Sequence, residues 1–244
     1  MENLYPMLEV CALSDPGQVR QSNQDAFRIV GELGLYMLAD GMGGARGGEQ
    51  ASRMAVEAIE RSLRRSAHRD AAALLSAVEE ANDSVLAAAS RDPTLEGMGT
   101  TIVAVLETRA NDIAIASVGD SRAYILHDGE LRAVTKDQTW VQEVGMGMGL
   151  DEDSLRTHPM RHVLTMAVGV ASAVRILYYA LELAEQDIVV LTTDGLHGVV
   201  PDAEIGRILR EREATLQQRC ERLMAAAHAA GSPDNVTVML MQPK

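Results

Sequence analysis

Four aspartates in this chain each stand at the start or end of an apolar, strand-like run, beside a small or turn-forming residue. They occur in Leu-Ala-Asp-Gly-Met (Asp40), Val-Gly-Asp-Ser-Arg (Asp120), Thr-Thr-Asp-Gly-Leu (Asp194) and Ser-Pro-Asp-Asn-Val (Asp234). A carboxylate at a strand end is held by a rigid element and still opens onto a cleft, and Mg²⁺ and Mn²⁺ prefer such oxygen ligands. A single Asp-Gly pair is weak support, because turns use it routinely. Several in one chain favour a fold that gathers strand ends around divalent cations.

The apolar pattern predicts mostly strands in the middle of the chain. A turn at 127–129 joins two of them, so this region is predicted to be an antiparallel meander. The predicted strands are 8–13, 26–30, 34–39, 101–106, 113–118, 123–126, 131–134, 174–181, 188–192 and 236–241.

Helical spacing is found in separate segments. A glycine-rich stretch, 41–48, is predicted to be a loop, and the segments 51–63, 74–85 and 214–229 each repeat apolar residues on one helical face. Strands in the middle with helices in separated pairs favour an α+β arrangement of packed sheets over alternating βαβ units. No linker or repeat interrupts residues 1–244, so a single domain is expected.

Composition excludes several partners. The net charge of -13 and pI near 4.9 argue against nucleic acid or anionic membrane, which would repel the chain. No stretch approaches the roughly 20 apolar residues of a membrane span, and the polar start is not a secretory signal, so a cytoplasmic protein is expected. Cys11 and Cys220 are predicted to be buried free thiols rather than a disulfide.

Short motifs follow one another along nearly the whole chain. They are Val-Arg-Gln-Ser-Asn-Gln-Asp ending at Asp25, Ala-Asp-Gly-Met-Gly-Gly around Asp40, Gly-Thr-Thr at 99–101, Gly-Asp-Ser-Arg-Ala-Tyr around Asp120, Val-Leu-Thr at 163–165, Thr-Asp-Gly-Leu around Asp194, and Asp-Asn-Val-Thr from Asp234. In this order the chain resembles a bacterial metal-dependent protein phosphatase of the protein phosphatase 2C type. The resemblance implies an α-β-β-α sandwich whose two central antiparallel sheets hold two ions, Mn²⁺ or Mg²⁺, in a cleft.

The resemblance also implies a role for each matching residue. Asp40 would bridge both ions, the Gly41 carbonyl would bind one of them, and Asp194 and Asp234 would hold the other. Asp120 matches a residue that helps to bind a third, weaker ion.

Two further residues complete the implied catalytic set. Arg20 would grip the phosphate, because its planar fork of donors suits phosphate better than lysine does. Asp25 would support the metal cluster through water. The proton donor to the leaving group is unassigned, since Met42 stands where some relatives have histidine, and His158, His162 and His197 are candidates by residue type.

Residues 136–170 correspond to the family's flap beside the active site. Gly145, Gly147 and Gly149 and a lack of periodicity favour a short helix plus a mobile insertion. The sequence of this segment resembles the matching part of phosphatases that accompany type VI secretion systems and oppose a threonine kinase. Trp140 is interpreted as packing the flap onto the body.

The leading hypothesis is therefore a monomeric protein serine/threonine phosphatase that acts on phosphoproteins and opposes a bacterial serine/threonine kinase. Two alternatives stay open. One is a phosphoprotein-binding module that has lost catalysis, although the presence of all the acids favours the enzyme. The other is hydrolysis of small phosphomonoesters, because metal ions and Arg20 would recognise a phosphate common to both substrates.

Overall fold

The structure is a computed structural model, and it describes residues 7–109, 112–149, 151, 154–155 and 158–244. Within these residues the strands are β1 (Leu8–Asp15), β2 (Asp25–Val30), β3 (Leu35–Met42), β4 (Gly99–Thr100), β5 (Ile102–Arg109), β6 (Asp112–Val118), β7 (Arg122–His127), β8 (Glu130–Ala133), β9 (Leu177–Glu182), β10 (Ile188–Thr192) and β11 (Val236–Pro243).

The strands form two antiparallel sheets. Sheet A has the order β1-β11-β10-β7-β8, and sheet B has the order β2-β3-β5-β6-β9 with β4 paired to β3. Consecutive strands are often neighbours, but β1 pairs with β11, so the two ends of the chain lie side by side in sheet A.

Helices cover the outer face of each sheet. The helices are α1 (Gly44–Arg65) and α2 (Ala71–Arg91) on sheet B, and α3 (Asp194–His197), α4 (Asp202–Leu209) and α5 (Leu216–Ala229) on sheet A. Asp70 caps α2 by accepting a hydrogen bond from the Ala73 backbone N–H at 2.9 Å, and Thr215 opens α5 with a reciprocal capping box.

Alternation along the strands explains the layers. In β3, Leu35 and Met37 pack against α1 and α2, whereas Tyr36 and Leu38 pack against sheet A, and all four are fully buried. Strands covered on both faces are apolar throughout, which is why several of them read as continuous apolar runs. The predicted α-β-β-α sandwich with two central antiparallel sheets is confirmed.

The prediction of a glycine loop at 41–48 is wrong. Strand β3 continues through Gly41 to Met42, and α1 already begins at Gly44. A Cβ at Gly41 would lie 2.1 Å from the Gly48 carbonyl oxygen, so these glycines let a strand end touch the first turn of a helix. They serve close packing rather than loop flexibility.

Other boundaries also differ from the sequence prediction. The strand expected from residue 174 begins at Leu177, and α4 was missed. The flap contains a π-helical turn, Val141–Gly145, followed by a 3₁₀ turn, Met146–Met148, while parts of it (150, 152–153 and 156–157) lie outside the described residues. Both cysteines are free thiols, but only Cys220 is buried and Cys11 is partly exposed. No helix in the described ranges is long and apolar enough to cross a membrane.

Candidate active site

The ends of β2 and β3 bring two of the predicted acids face to face. Asp25 and Asp40 are register partners in this antiparallel pair, so both side chains lie on the same face of sheet B. Tyr36 and Leu38, on the same face of β3, pack against sheet A, so the two carboxylates face the space between the sheets. Like charges directly opposite each other destabilise a sheet, which makes this pair a costly arrangement.

Asp25 receives its hydrogen bonds from sheet A. The Thr193 and Thr237 hydroxyls donate to Asp25 Oδ2 at 3.0 and 2.7 Å. The other oxygen, Oδ1, is buried and has no hydrogen-bond partner. A buried carboxylate oxygen left in this state is costly, so Oδ1 is the atom suited to accept from a water or a ligand in the cleft.

The backbone of Asp40 is held by strand β4 and by Thr101, the residue that follows this strand. The Asp40 N–H donates to Thr101 Oγ1 at 2.9 Å, and the Asp40 carbonyl oxygen accepts from the Thr101 N–H at 2.9 Å and the Thr100 hydroxyl at 2.8 Å. These bonds hold the main chain and leave the Asp40 carboxylate free for other partners.

Asp194 reaches the same region from sheet A. Its carboxylate lies close enough to that of Asp40 for each to affect the pKa of the other. The start of α3, which carries Asp194, packs against the turn that carries Asp234, because a Cβ at Gly195 would lie only 1.9 Å from the Asn235 carbonyl oxygen. Only glycine permits this approach, which explains the glycine after Asp194.

Asp234 is paired with Arg20. Arg20 Nη2 lies 2.6 Å from Asp234 Oδ2, and the Asn235 N–H donates to Asp234 Oδ1 at 2.9 Å. The Arg20 side chain is 55% exposed, so most of its donors face solvent. Each carboxylate oxygen has two lone pairs, so Asp234 retains capacity for a further partner.

Asn235 connects the Arg20 loop to the Asp234 turn. Its Oδ1 accepts from the Gln24 N–H at 2.8 Å, and its Nδ2 donates to the carbonyl oxygens of Pro16 and Ser22 at 2.9 Å each. The residue is 4% exposed. One buried carboxamide therefore holds both ends of the segment that presents Arg20.

The Asp120 turn lies beside Asp40. Gly119 has a φ of +95° and packs against Thr101, whose hydroxyl is 2.6 Å from the Ser121 hydroxyl. Thr101 thus contacts both the Asp40 backbone and the Asp120 turn, and it helps to set the spacing between these two acids.

Burial and mutual repulsion dominate the electrostatics. Burial raises the pKa of Asp25 to about 7 and the pKa of Asp120 to about 7, with smaller contributions from neighbouring carboxylates. Burial also raises the pKa of Asp40 well above its usual value, and Asp25, Asp194, Asp120 and Asp234 each raise it further. The five acids therefore share one electrostatic neighbourhood.

The residues present fit divalent cations in chemistry. All the candidate ligand side chains carry carboxylate oxygens, Asp25 Oδ1 is an unpaired acceptor, and neighbouring carboxylates add to the burial that raises the pKa of Asp40. Among the described residues, however, no three His, Cys, Asp or Glu side chains already surround one point as ligands. The described acids are therefore close neighbours rather than a complete ligand shell.

The three candidate histidines have different surroundings. His158 stacks on Trp140 with ring centroids 4.5 Å apart, so the two rings pack together within the flap. Burial lowers the pKa of His197, whose Nδ1 has no hydrogen-bond partner. The charge of His162 helps to lower the pKa of Asp194, which places His162 within electrostatic reach of the acids.

Sequence analysis named all the acids but missed the residues that hold them. Thr193, Thr237, Thr101 and Asn235 stood inside the quoted motifs, yet no spacing indicated that threonines of sheet A would bind an acid of sheet B. Two open cavities of about 400 and 550 Å³ lie elsewhere, at the α1–α2 connection, and none of the acids lines them.

Comparisons of the sequence with known proteins find related phosphatases. A family profile described as Protein phosphatase 2C matches residues 18–234. The serine/threonine phosphatase stp of Listeria innocua is 31% identical over 242 residues, covering 94% of this chain and 93% of that protein.

Solved structures share the fold. The catalytic domain of the serine/threonine protein phosphatase PstP, in complex with two manganese ions, superposes with a TM-score of 0.85 at 33% identity, covering 96% of this chain and 97% of that one. PppA, described as a key regulatory component of the type VI secretion system in Pseudomonas aeruginosa, gives a TM-score of 0.84 at 28% identity, covering 98% of this chain and 99% of that one.

Proposed function

Because the chain belongs to the protein phosphatase 2C family, we propose that its clustered aspartates form the metal centre of a phosphoprotein phosphatase. Membership makes the chain a metal-dependent serine/threonine protein phosphatase, a hydrolase, as the sequence predicted. The observation that carries the assignment of residues is the electrostatic contact of Asp40 with the four other predicted acids, which come from both sheets.

Metal ligands are proposed as follows. Asp40, the Gly41 carbonyl, Asp194 and Asp234 would hold two ions, and Asp120 would help to hold a third and weaker one. When bound, divalent ions supply a hydroxide nucleophile near neutral pH and offset charge on the phosphate oxygens. Mn²⁺ or Mg²⁺ both suit such a set of oxygen donors.

The chain's own groups orient the reactants. Thr193 and Thr237 hold one oxygen of Asp25, so the free Oδ1 of Asp25 is directed to accept a hydrogen bond from water in the cleft. Arg20 has five N–H donors, of which Nη2 binds Asp234, and its exposed remainder is available to phosphate oxygens.

A proton donor for the leaving oxygen is assigned to His162. His158 is stacked on Trp140, and burial lowers the pKa of His197, so that His197 is neutral near pH 7. His162 is the candidate whose charge reaches the acid cluster. A His162→Gln variant should lower kcat for a phosphothreonine peptide more than kcat for para-nitrophenyl phosphate, whose leaving group needs less protonation.

The test of the proposed centre is hydrolysis of a phosphothreonine peptide and of para-nitrophenyl phosphate, with Mn²⁺ and with a chelator. Asp40→Asn and Asp194→Asn should abolish turnover and leave the fold intact, because each removes a charge but little volume. Asp128→Asn is the matched control, since the Asp128 side chain is 93% exposed in the turn between β7 and β8 and is not one of the proposed ligands. Full activity in chelator, or near-normal turnover by either active-site variant, would refute the centre.

The substrate class is tested by the same assay. We propose that the substrates are proteins phosphorylated by a bacterial serine/threonine kinase. We also propose that the enzyme acts on them in the cytoplasm as a monomer. Turnover of small metabolite phosphates at rates above those for phosphothreonine peptides would favour the small-ester alternative. A narrower proposal is a role in the regulation of type VI secretion. It is supported by the sequence of the flap and by the likeness to PppA. The test compares kcat/KM for phosphothreonine peptides taken from proteins of that secretion system with kcat/KM for unrelated phosphopeptides. A preference for the first set would support this role.

A further inference from the structure

One buried carboxamide fastens the start of the flap to the Asp120 turn. Gln138 is fully buried, and its Oε1 accepts from the Gly119 N–H at 2.8 Å while its Nε2 donates to the Arg175 carbonyl oxygen at 2.9 Å. Its own N–H donates to the Gly119 carbonyl oxygen at 2.9 Å. Gln138 therefore holds both polar groups of the residue that precedes Asp120.

An ion pair reinforces the same end. Arg122 donates from Nε and Nη2 to the two carboxylate oxygens of Asp137 at 2.8 and 2.7 Å. Both side chains are mostly buried, at 28% and 17% exposed. A bidentate pair of this kind fixes direction as well as distance, so the first flap residues cannot rotate relative to the Asp120 turn.

A second buried carboxamide fastens the far end of the flap to α2. Asn82 is 1% exposed, its Oδ1 accepts from the Gly169 N–H at 2.8 Å, and its Nδ2 donates to the Ala171 carbonyl oxygen at 2.9 Å. Gly169 has a φ of +88°, and a Cβ there would lie 2.2 Å from Val85. This close contact holds the end of the flap against the helix.

The far end of the flap is also connected to an acid of the proposed centre by hydrogen bonds. Val168 and Thr100 exchange two backbone hydrogen bonds, at 3.0 and 2.8 Å, and the Thr100 hydroxyl donates to the Asp40 carbonyl oxygen at 2.8 Å. Each end of the flap is thus one residue away from an acid of the proposed centre, through Gly119 to Asp120 and through Thr100 to Asp40.

We propose that Gln138 and Asn82 are positioning residues for the reaction, which set the flap and the acids of the centre in one fixed relation. The inference rests on the proposed metal centre. Neither carboxamide touches the acids, so each acts through the backbone that it holds. A role limited to stability would lower the melting temperature and leave the folded enzyme's cation binding unchanged.

The test compares near-isosteric variants of the full chain, Gln138→Met and Asn82→Leu, with the control Ser117→Ala. Ser117 is 1% exposed, its hydroxyl has no hydrogen-bond partner, and it lies two residues before Gly119. The readouts are Mn²⁺ affinity by isothermal titration calorimetry, Trp140 emission, melting temperature, and kcat and KM on both substrates, all at a temperature where each variant is folded.

Gln138→Met should weaken Mn²⁺ binding about tenfold, the effect expected when a group that orients a ligand is lost. Trp140, two residues along the chain, should shift its emission to longer wavelength. Asn82→Leu should raise KM for the phosphopeptide at least threefold more than KM for the aryl phosphate. Ser117→Ala should match wild type in every readout.

If Gln138→Met does not fold, Asn82→Leu keeps the proposal testable, because it acts at the other end of the flap through separate hydrogen bonds. Its KM values on the two substrates then decide the outcome. Wild-type Mn²⁺ affinity and KM in both carboxamide variants would overturn the inference and leave the proposed function standing. Absence of Mn²⁺ binding by the wild-type chain would instead overturn the proposed function, and the inference with it.

Discussion

Replacing Asn235 by alanine should loosen the segment that presents Arg20. The carboxamide makes three hydrogen bonds to the backbone of residues 16–24, at 2.8 to 2.9 Å, from a site that is 4% exposed. A buried hydrogen bond contributes about 1 kcal/mol net, so Asn235→Ala should lower the free energy of unfolding by about 3 kcal/mol. In a chain of this size that is a fall in melting temperature of roughly 6–12 °C.

Urea unfolding followed by circular dichroism measures the loss, and an unchanged m-value would show that the denatured state is unaffected. KM for a phosphothreonine peptide should rise as well, because Arg20 lies on the loosened segment. Gln18→Ala is the matched control on the same segment. Its side chain makes one exposed hydrogen bond, to the His228 carbonyl oxygen at 3.2 Å, so the change should stay within about 0.5 kcal/mol.

Two results would refute the reasoning about Asn235. Stability of Asn235→Ala within about 0.5 kcal/mol of wild type would mean that the carboxamide does not hold the segment. A large loss of stability with an unchanged KM would mean that the segment is held, but that its position does not govern Arg20.

Three further predictions concern other parts of the molecule. Tyr36→Phe should lower the free energy of unfolding by about 1–3 kcal/mol in chemical denaturation, because the Tyr36 hydroxyl donates at 2.5 Å to the fully buried carboxylate of Glu107; an unchanged midpoint would contradict this. Gly195→Ala should abolish activity and lower the melting temperature, since its Cβ would lie 1.9 Å from a backbone oxygen, and a stable, active variant would show that the loops separate at no cost. The pairing of His127 with Asp187 at 2.8 Å raises the pKa of His127, so its stabilisation is fully present below the unfolded value of about 6.5 and is lost as pH rises through the raised folded value. The melting-temperature difference between wild type and His127→Gln should therefore shrink over that pH range, and a difference that grows would reverse the assignment.

Local sequence was sufficient for most elements and insufficient for their ends. Apolar runs predicted most strands of both sheets, and apolar residues at helical spacing predicted α2, because these signals depend on neighbours along the chain. The stretch at 41–48 was misread because glycine indicates a turn and a close contact equally well. Only the close packing of Gly41 against Gly48, where a Cβ on Gly41 would lie 2.1 Å from the Gly48 carbonyl oxygen, distinguishes the two. The short helix α4 was missed for lack of a long periodic pattern.

The sequence by itself determined which residues carry the chemistry, since the acids, Arg20 and their order along the chain are features of residue type and spacing. Tertiary structure alone decided how those residues are held. Thr193 and Thr237 bind Asp25 from 168 and 212 residues away, and Asn235 and Gln138 act on backbone groups that no pattern connects to them. The physical reason is that a hydrogen bond acts over about 3 Å in space. Distances between sheets are set by packing of the whole core, which spacing along the chain does not encode.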